Sequence, residues 1–112
     1  MFMGCDLLFI TSCNQDDDIM ALSQEDAYFF YQETCPHCHI AADYIKERHP
    51  DMRVKALDIK MPGNRRLFES AVKGYKIKGA AGTPLICFGR NYIMGWSDED
   101  PARFDEYAKD YE

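Results

Sequence analysis

The first 45 residues contain no lysine or arginine, and no basic run occurs anywhere in the chain. The bases are spread thinly over residues 46–112, without a basic run or a regular alternation of basic and aromatic residues, so the pattern typical of nucleic-acid binding is missing. No apolar run is long enough to span a membrane as a helix. Five cysteines are an odd number, so a fully paired disulfide scaffold is not expected. With 112 residues, 46% of them apolar, the chain predicts one domain with a modest core.

Residues 1–25 differ in composition from the rest of the chain. An apolar stretch, Leu7–Ile10, is followed by small residues and then by the aspartates Asp16–Asp18, with no base nearby. Such a segment is typical of solvated chain. We therefore predict that residues 1–25 lie outside the fold and that residues 26–112 form the domain.

The tetrapeptide Ile10-Thr11-Ser12-Cys13 resembles the lipobox of a bacterial lipoprotein signal. That resemblance implies an extracytoplasmic protein with a lipid anchor at Cys13. Two features depart from it, because Asp6 interrupts the apolar part and no basic residue precedes it. The alternative is an ordinary N-terminal segment of a cytoplasmic protein.

From Ala27 onward the sequence alternates strand and helix signals. Strands are predicted where β-branched and aromatic residues cluster, and helices where apolar residues recur at helical spacing between capping and proline signals. The predicted elements are a strand over 27–32, a helix from Pro36 to Arg48, a strand from Met52 to Ile59, a helix capped by Asn64 and ending near Tyr75, a hairpin of Leu85–Phe88 and Tyr92–Met94, and a helix capped by Ser97 or Asp98 and ending near Tyr107. This order, βαβαββα, is that of an α/β domain.

Several side chains are predicted to be buried from this pattern. Those of the strands are Tyr28, Phe30, Val54, Ala56, Cys87 and Met94, and those of the first helix are Ile40, Tyr44 and Ile45. Cys87 lies in an apolar run, so we expect a core thiol there.

Cys35-Pro36-His37-Cys38 is the motif that carries chemistry. It lies between the predicted first strand and first helix, and Pro36 suits a first helical position. The unpaired N–H groups and the dipole of a helix start favour a thiolate at Cys35. Cysteines three apart are neighbours on a helix, so one can be exposed while the other faces inward. A C-x-x-C motif beside a βαβ pattern indicates thiol–disulfide exchange.

This motif, the element order and Thr83-Pro84 before the third strand together resemble the glutaredoxin branch of the thioredoxin-like superfamily, over residues 26–110. The resemblance implies a central four-stranded mixed sheet with helices on both faces. It implies that Cys35 is the nucleophile and that Cys38 resolves the mixed disulfide. It also implies a cis Pro84 facing the dithiol, with the backbone of Thr83 offered to a bound peptide or glutathione.

His37 separates two interpretations of the reaction. The middle dipeptide Pro36-His37 is that of the DsbA oxidases, which implies disulfide oxidation or isomerisation outside the cytoplasm as an alternative. A histidine N–H directed at the Cys35 thiolate would stabilise the reduced protein and make the disulfide a stronger oxidant. The plainer alternative is a solvent-facing histidine without a catalytic role.

Glutathione recognition matches the family only in part. Gln32 stands where glutaredoxins usually carry lysine, and Trp96 replaces the second glycine of their Gly-Gly-x-Asp motif. Asp98 could bind an amine or cap the last helix. The candidate substrate-binding residues are Gln32, Pro36, Thr83, Pro84, Gly95, Trp96, Ser97 and Asp98. We expect a monomer without bound cofactor, acting on protein disulfides and dithiols or on glutathione as co-substrate.

Metal binding is the rival class of function. Cys35, His37, Cys38 and His39 place four metal-binding side chains within five residues, and C-x-x-C is half of a zinc or iron–sulfur site. No second C-x-x-C and no H-x-x-x-H completes such a site. The sequence therefore favours redox chemistry over a bound metal.

Overall fold

The structure is a computed structural model that describes residues 26–111. Its elements are the strands β1 (Ala27–Tyr31), β2 (Val54–Asp58), β3 (Leu85–Phe88) and β4 (Asn91–Met94), the helices α1 (Pro36–Arg48), α2 (Pro62–Gly74) and α3 (Asp100–Ala108), and a closing 3₁₀ turn (Lys109–Tyr111). The expectations about residues 1–25, including the lipobox, fall outside the described residues. None of the helices within 26–111 has the length and apolar character that a membrane crossing requires.

The strands form one mixed sheet in the order β2-β1-β3-β4. β1 and β2 are parallel, with Phe29 opposite Ala56, whereas β1 and β3 are antiparallel, with Phe29 opposite Ile86. β3 and β4 are joined as an antiparallel hairpin. A parallel pair needs a crossover connection, and α1 supplies it. The α/β class and the four-stranded mixed sheet are confirmed for the described residues.

Alternate residues of β1 face two different cores. Phe29 packs in a cluster with Ile45 of α1 and Phe104 of α3, while Phe30 packs in a second cluster with Phe68 of α2. Side chains of successive strand residues point to opposite faces, so each face needs its own cover. Helices α1 and α3 therefore cover one face of the sheet and α2 covers the other.

The first helix was predicted with the bounds it has, but its buried side differs. Cys38, Ala41 and Ile45 are its buried residues, whereas the Ile40 side chain is exposed. The helical spacing puts Ile40 on the flank of that buried stripe, so the prediction that Ile40 is buried was wrong.

Three strand residues also need correction. Ala56 is exposed and Val54 only half-buried, because β2 is an edge strand that α1 does not fully cover. Met94 is exposed as well, since β4 is the opposite edge. Tyr28, Phe30 and Cys87 are buried as predicted.

The caps of the two later helices were also placed wrongly. Met61 is the N-cap residue of α2, with Pro62 at the first helical position, and Asn64 instead donates its side-chain amide to the Asp58 carbonyl at 3.1 Å. Glu99 is the N-cap residue of α3, one or two residues later than predicted. A proline that starts a helix sets its boundary more strongly than a nearby asparagine, because its backbone dihedral is already helical.

Candidate dithiol site

Cys35 is the N-cap residue of α1, directly after the loop that leaves β1. Its backbone N–H donates to the Gln32 carbonyl at 3.1 Å, which closes a tight turn. Its sulfur accepts the backbone N–H of Cys38 at 3.1 Å. The sulfur thus takes the place that a serine or aspartate oxygen usually has at an N-cap.

The surroundings of Cys35 favour the thiolate. Partial burial of the sulfur opposes ionisation, but hydrogen bonds from the side chains of Cys38 and Thr83 and from the backbone N–H groups of Cys38 and His37 outweigh it. The pKa of Cys35 is therefore below its ordinary value of 9.0. The Cys35 side chain is half-buried rather than closed off, so an incoming disulfide can reach the sulfur.

Cys38 has the opposite character. It is buried, and this burial together with its hydrogen bond to Cys35 raises the pKa of the Cys38 thiol above 9.0. Both described cysteines of the motif are free thiols in this structure. The pair consists of one acidic, accessible sulfur and one sheltered sulfur immediately behind it, which stays protonated while the first reacts.

Thr83 and Pro84 lie against this pair. The Cys35 thiol donates to the Thr83 carbonyl at 3.6 Å, and the Thr83–Pro84 peptide bond is cis, the form that the resemblance implies. Pro84 is fully buried, and its carbonyl accepts the backbone N–H of Gly95 at 2.8 Å. That hydrogen bond holds the loop after β4 beside the dithiol.

His37 acts on Cys35 through its backbone. The N–H that favours the Cys35 thiolate is the main-chain one, while His37 itself is exposed and lines two grooves together with Trp96 and Ser97. The predicted action of the His37 imidazole on the thiolate stays a prediction, since the N–H group of His37 that favours the thiolate belongs to the backbone, and His37 lines the two grooves.

The loop Gly95–Asp98 is fixed at both ends. Trp96 packs against Tyr44, with ring centroids 5.7 Å apart, and against Phe104 at 6.1 Å. The Ser97 backbone N–H and hydroxyl both donate to the Asp100 carboxylate, at 2.6 and 3.1 Å. The indole of Trp96 is therefore held in one orientation in front of α1.

Asp100, not Asp98, is the acid that organises this loop. Asp100 is buried and also accepts from Arg103 at 3.2 Å, whereas Asp98 is exposed and lines a groove with Pro101. The prediction that Ser97 or Asp98 caps the last helix was wrong. An acid inside the first turn of a helix is a recognisable signal, but only the structure shows that it reaches back to Ser97.

Gln32 contacts the motif through its backbone carbonyl, but it lines neither of the grooves formed by His37, Trp96 and Ser97. It lines an apolar groove of about 330 Å³ on the other side of α1, with Cys38, His39 and Ala42 among its neighbours. The structure thus brings together Cys35, Pro36, His37, Cys38, Thr83, Pro84, Gly95, Trp96 and Ser97 around the start of α1, leaves Asp98 at their margin, and places Gln32 on a different surface.

The described residues around the motif do not form a metal-binding cluster. The ring of His39 hydrogen-bonds the Glu33 carbonyl at 2.7 Å. Within residues 26–111, no group of three or more histidine, cysteine, aspartate or glutamate side chains is arranged to hold a metal ion.

A polar cluster at the far end of α1 was not predicted. The Asp105 carboxylate accepts from the Tyr44 hydroxyl at 2.8 Å and is bonded to the His49 ring at 2.7 Å. These residues are 56 and 61 positions from Asp105 in the chain. No local pattern reveals a cluster built across such a separation.

No protein-family model matches the chain, and no curated protein matches it.

Proposed function

We propose that the protein is a thiol–disulfide oxidoreductase with a thioredoxin-like fold of the glutaredoxin type. The element order, the sheet order β2-β1-β3-β4 and the covering of both faces by helices support the fold. The difference between Cys35 and Cys38 in pKa and accessibility is the observation that carries the function.

The reaction follows from that difference. The Cys35 thiolate attacks one sulfur of a substrate disulfide and forms a mixed disulfide, while the other substrate sulfur leaves as a thiolate and takes up a proton. Cys38 then loses its proton and attacks the Cys35 sulfur. The substrate's second thiol is released, and the Cys35–Cys38 disulfide remains. Two electrons have passed to the substrate, and the reverse sequence oxidises a dithiol.

The backbone around the dithiol gives a substrate a place to bind. The Thr83 carbonyl lies 3.6 Å from the Cys35 sulfur, in the segment just before β3, where the backbone of Thr83 could pair with an extended substrate chain. A substrate strand held there would bring its disulfide next to Cys35. Glutathione and protein disulfides both contain such a backbone, so either could be the co-substrate.

Replacing each cysteine separately tests this proposal. Cys35→Ser should lower the rate of disulfide reduction roughly 10³-fold or more, because a serine hydroxyl is not ionised at neutral pH. Cys38→Ser should instead accumulate a mixed disulfide on Cys35, visible by mass spectrometry of the intact protein. Cys5 and Cys13 are replaced by serine in every variant, so that they add no competing thiols.

Cys87→Ala is the matched control. Cys87 is buried in β3 away from the motif, so its loss should leave the exchange rate within about twofold of the parent. Turnover retained by Cys35→Ser, or a mixed disulfide trapped on another cysteine, would contradict the assignment of the nucleophile.

A further inference from the structure

An exposed apolar surface borders the dithiol on the side of His37. Ile40, Tyr92 and Met94 are large apolar side chains that remain exposed, and each lines one of two neighbouring grooves. These grooves hold about 750 and 390 Å³, and both contain His37 and Trp96. We call Ile40 and Trp96, together with Tyr92 and Met94 at the β4 edge of the sheet, the docking face.

Trp96 is the centre of the docking face. It is the apolar residue that lines both grooves, and its ring packs on Tyr44 and on the fully buried Phe104. The hydrogen bonds from Gly95 to Pro84 and from Ser97 to Asp100 fix the backbone on either side of it. A surface already held in its binding orientation loses little conformational entropy when a partner binds.

The docking face is connected to the reacting sulfur at two points. His37 lies two residues after Cys35 in the chain and lines both grooves. Gly95 lines the larger groove, and its backbone N–H donates to the Pro84 carbonyl. The preceding residue, Thr83, has its carbonyl in contact with the Cys35 sulfur. A polypeptide whose disulfide is at Cys35 can therefore extend directly over Trp96.

The charge of these grooves disfavours glutathione. Arg103 is the arginine among the described lining residues, and it is already paired with Asp100 at 3.2 Å and Glu99 at 3.4 Å. Asp98 adds a negative charge to the smaller groove. Glutathione carries a carboxylate at each end and one ammonium at its γ-glutamyl end. The ammonium could pair with Asp98, but both carboxylates would lie on a surface whose arginine is already paired with acids.

We infer that the docking face binds an apolar segment of a protein substrate next to its disulfide, and that Trp96 sets a preference for protein disulfides over glutathione. This inference rests on the proposed exchange at Cys35. The mixed disulfide joins the Cys35 sulfur to the near cysteine of the substrate protein, and the far cysteine leaves as a thiolate. Burial of the substrate's apolar side chains on Trp96, Ile40 and Met94 supplies the selectivity.

The test measures mixed-disulfide formation in the Cys38→Ser protein, where the reaction stops after one step. The probes are glutathione disulfide and two synthetic disulfide peptides, identical except that leucine and valine flank the cysteine in one and serine and glycine in the other. We expect the apolar peptide to react about tenfold faster than either other probe, because two or three apolar side chains gain partial burial.

Variants of the docking face test whether its apolar side chains cause the preference for the apolar peptide. Ile40→Ser and Trp96→Ala should each lower the rate ratio of the apolar to the polar peptide about threefold to fivefold. Met61→Ser is the matched control, since Met61 is 57% exposed against 55% for Ile40 but lies at the start of α2. It should leave the ratio unchanged. Thermal melts check that Trp96→Ala is folded. If it is not, Ile40→Ser still tests the docking face, because it changes an exposed side chain.

A small uncharged disulfide, 2-hydroxyethyl disulfide, separates this inference from the proposed function. If Cys35 does not react with it, the proposed exchange itself fails. If Cys35 reacts with it but the two peptides react at equal rates, or glutathione disulfide reacts fastest, the docking face is refuted while the exchange stands. An equal loss of the rate ratio in Met61→Ser and Ile40→Ser would also refute it.

Discussion

The two ends of helix α1 carry opposite arrangements of polar groups. At the start, backbone N–H groups of His37 and Cys38 are directed at a single half-buried sulfur. At the other end, the His49 ring and the Tyr44 hydroxyl both meet the Asp105 carboxylate of α3. The polar groups at the first end are available to stabilise a charge that appears and disappears, whereas those at the second are already satisfied by one another.

The helix dipole favours this division. Its positive end lies at Cys35 and stabilises a thiolate, and its negative end lies beside Lys46, Arg48 and His49. A basic residue at the C-terminal end of a helix complements its dipole. In addition, the His49 ring is hydrogen-bonded to the Asp105 carboxylate at 2.7 Å, which ties the end of α1 to α3. One end of the helix is thus anchored, and the other is left free to react.

The largest expected effect concerns the thiols themselves. In the native protein at neutral pH, iodoacetamide should modify Cys35 at least about 10³-fold faster than Cys87. Cys87 is fully buried, and this burial raises its pKa to about 12. The Cys35 rate should rise with pH and reach half its maximum below pH 9.0, since its pKa is lowered from that value. Mass spectrometry of the peptides after timed quenching measures both rates.

Unfolding provides the control for this measurement. In denaturant the thiols should react at similar rates, because burial and the N-terminal end of the helix are both lost. Equal rates for Cys35 and Cys87 in the folded protein would mean that the start of α1 does not activate its sulfur.

The anchored end of α1 should determine stability rather than reactivity. Asp105→Asn should lower the free energy of unfolding by about 1–2 kcal/mol at pH 7, a figure kept small because the Asp105 side chain is 45% exposed. His49 is largely buried and would lose its charged partner. Urea unfolding monitored by Trp96 fluorescence gives the change. The alkylation rate of Cys35 should stay the same.

The pH dependence of this effect has a defined sign. Burial alone would raise the pKa of Asp105, but hydrogen bonds from His49 and Tyr44 outweigh it, so the pKa lies below the ordinary value of 3.8. The stabilisation is therefore present above that value and is lost as the pH falls through the lowered pKa. The difference between Asp105→Asn and the parent should shrink in strong acid. Asp43→Asn, which changes an exposed aspartate of α1 outside this cluster, should show no comparable effect at any pH.

The reactive end of α1 could be predicted from the sequence, and the anchored end could not. A strand, a proline and two cysteines three apart are local signals, and they placed α1 and its N-terminal Cys35 correctly. The Tyr44–Asp105–His49 cluster joins two helices across the chain and leaves no local pattern.

The exposed apolar residues were missed for a different reason. An apolar residue is buried only when a neighbouring element covers its side chain. Ile40 lies on the uncovered side of α1, and Met94 lies on the edge strand β4. The prediction that Asp98 caps the last helix failed, since Asp100, two residues later, accepts the Ser97 N–H instead. The exposure of these apolar residues and the hydrogen bond of Asp100 could therefore be found only in the structure.

The smallest expected effect lies in the loop opposite the start of α1. Gly95 has φ +86, a left-handed conformation, and a Cβ there would meet no atom within 4 Å. Gly95→Ala should therefore cost about 1 kcal/mol of stability from the backbone alone. Gly63→Ala is the matched control, because a Cβ at Gly63 is equally free but lies within helix α2, where alanine should be neutral or stabilising by up to about 1 kcal/mol. Urea unfolding of both variants measures the difference. If both variants changed the free energy of unfolding by the same amount and in the same direction, the left-handed conformation of Gly95 would not be the cause of the loss.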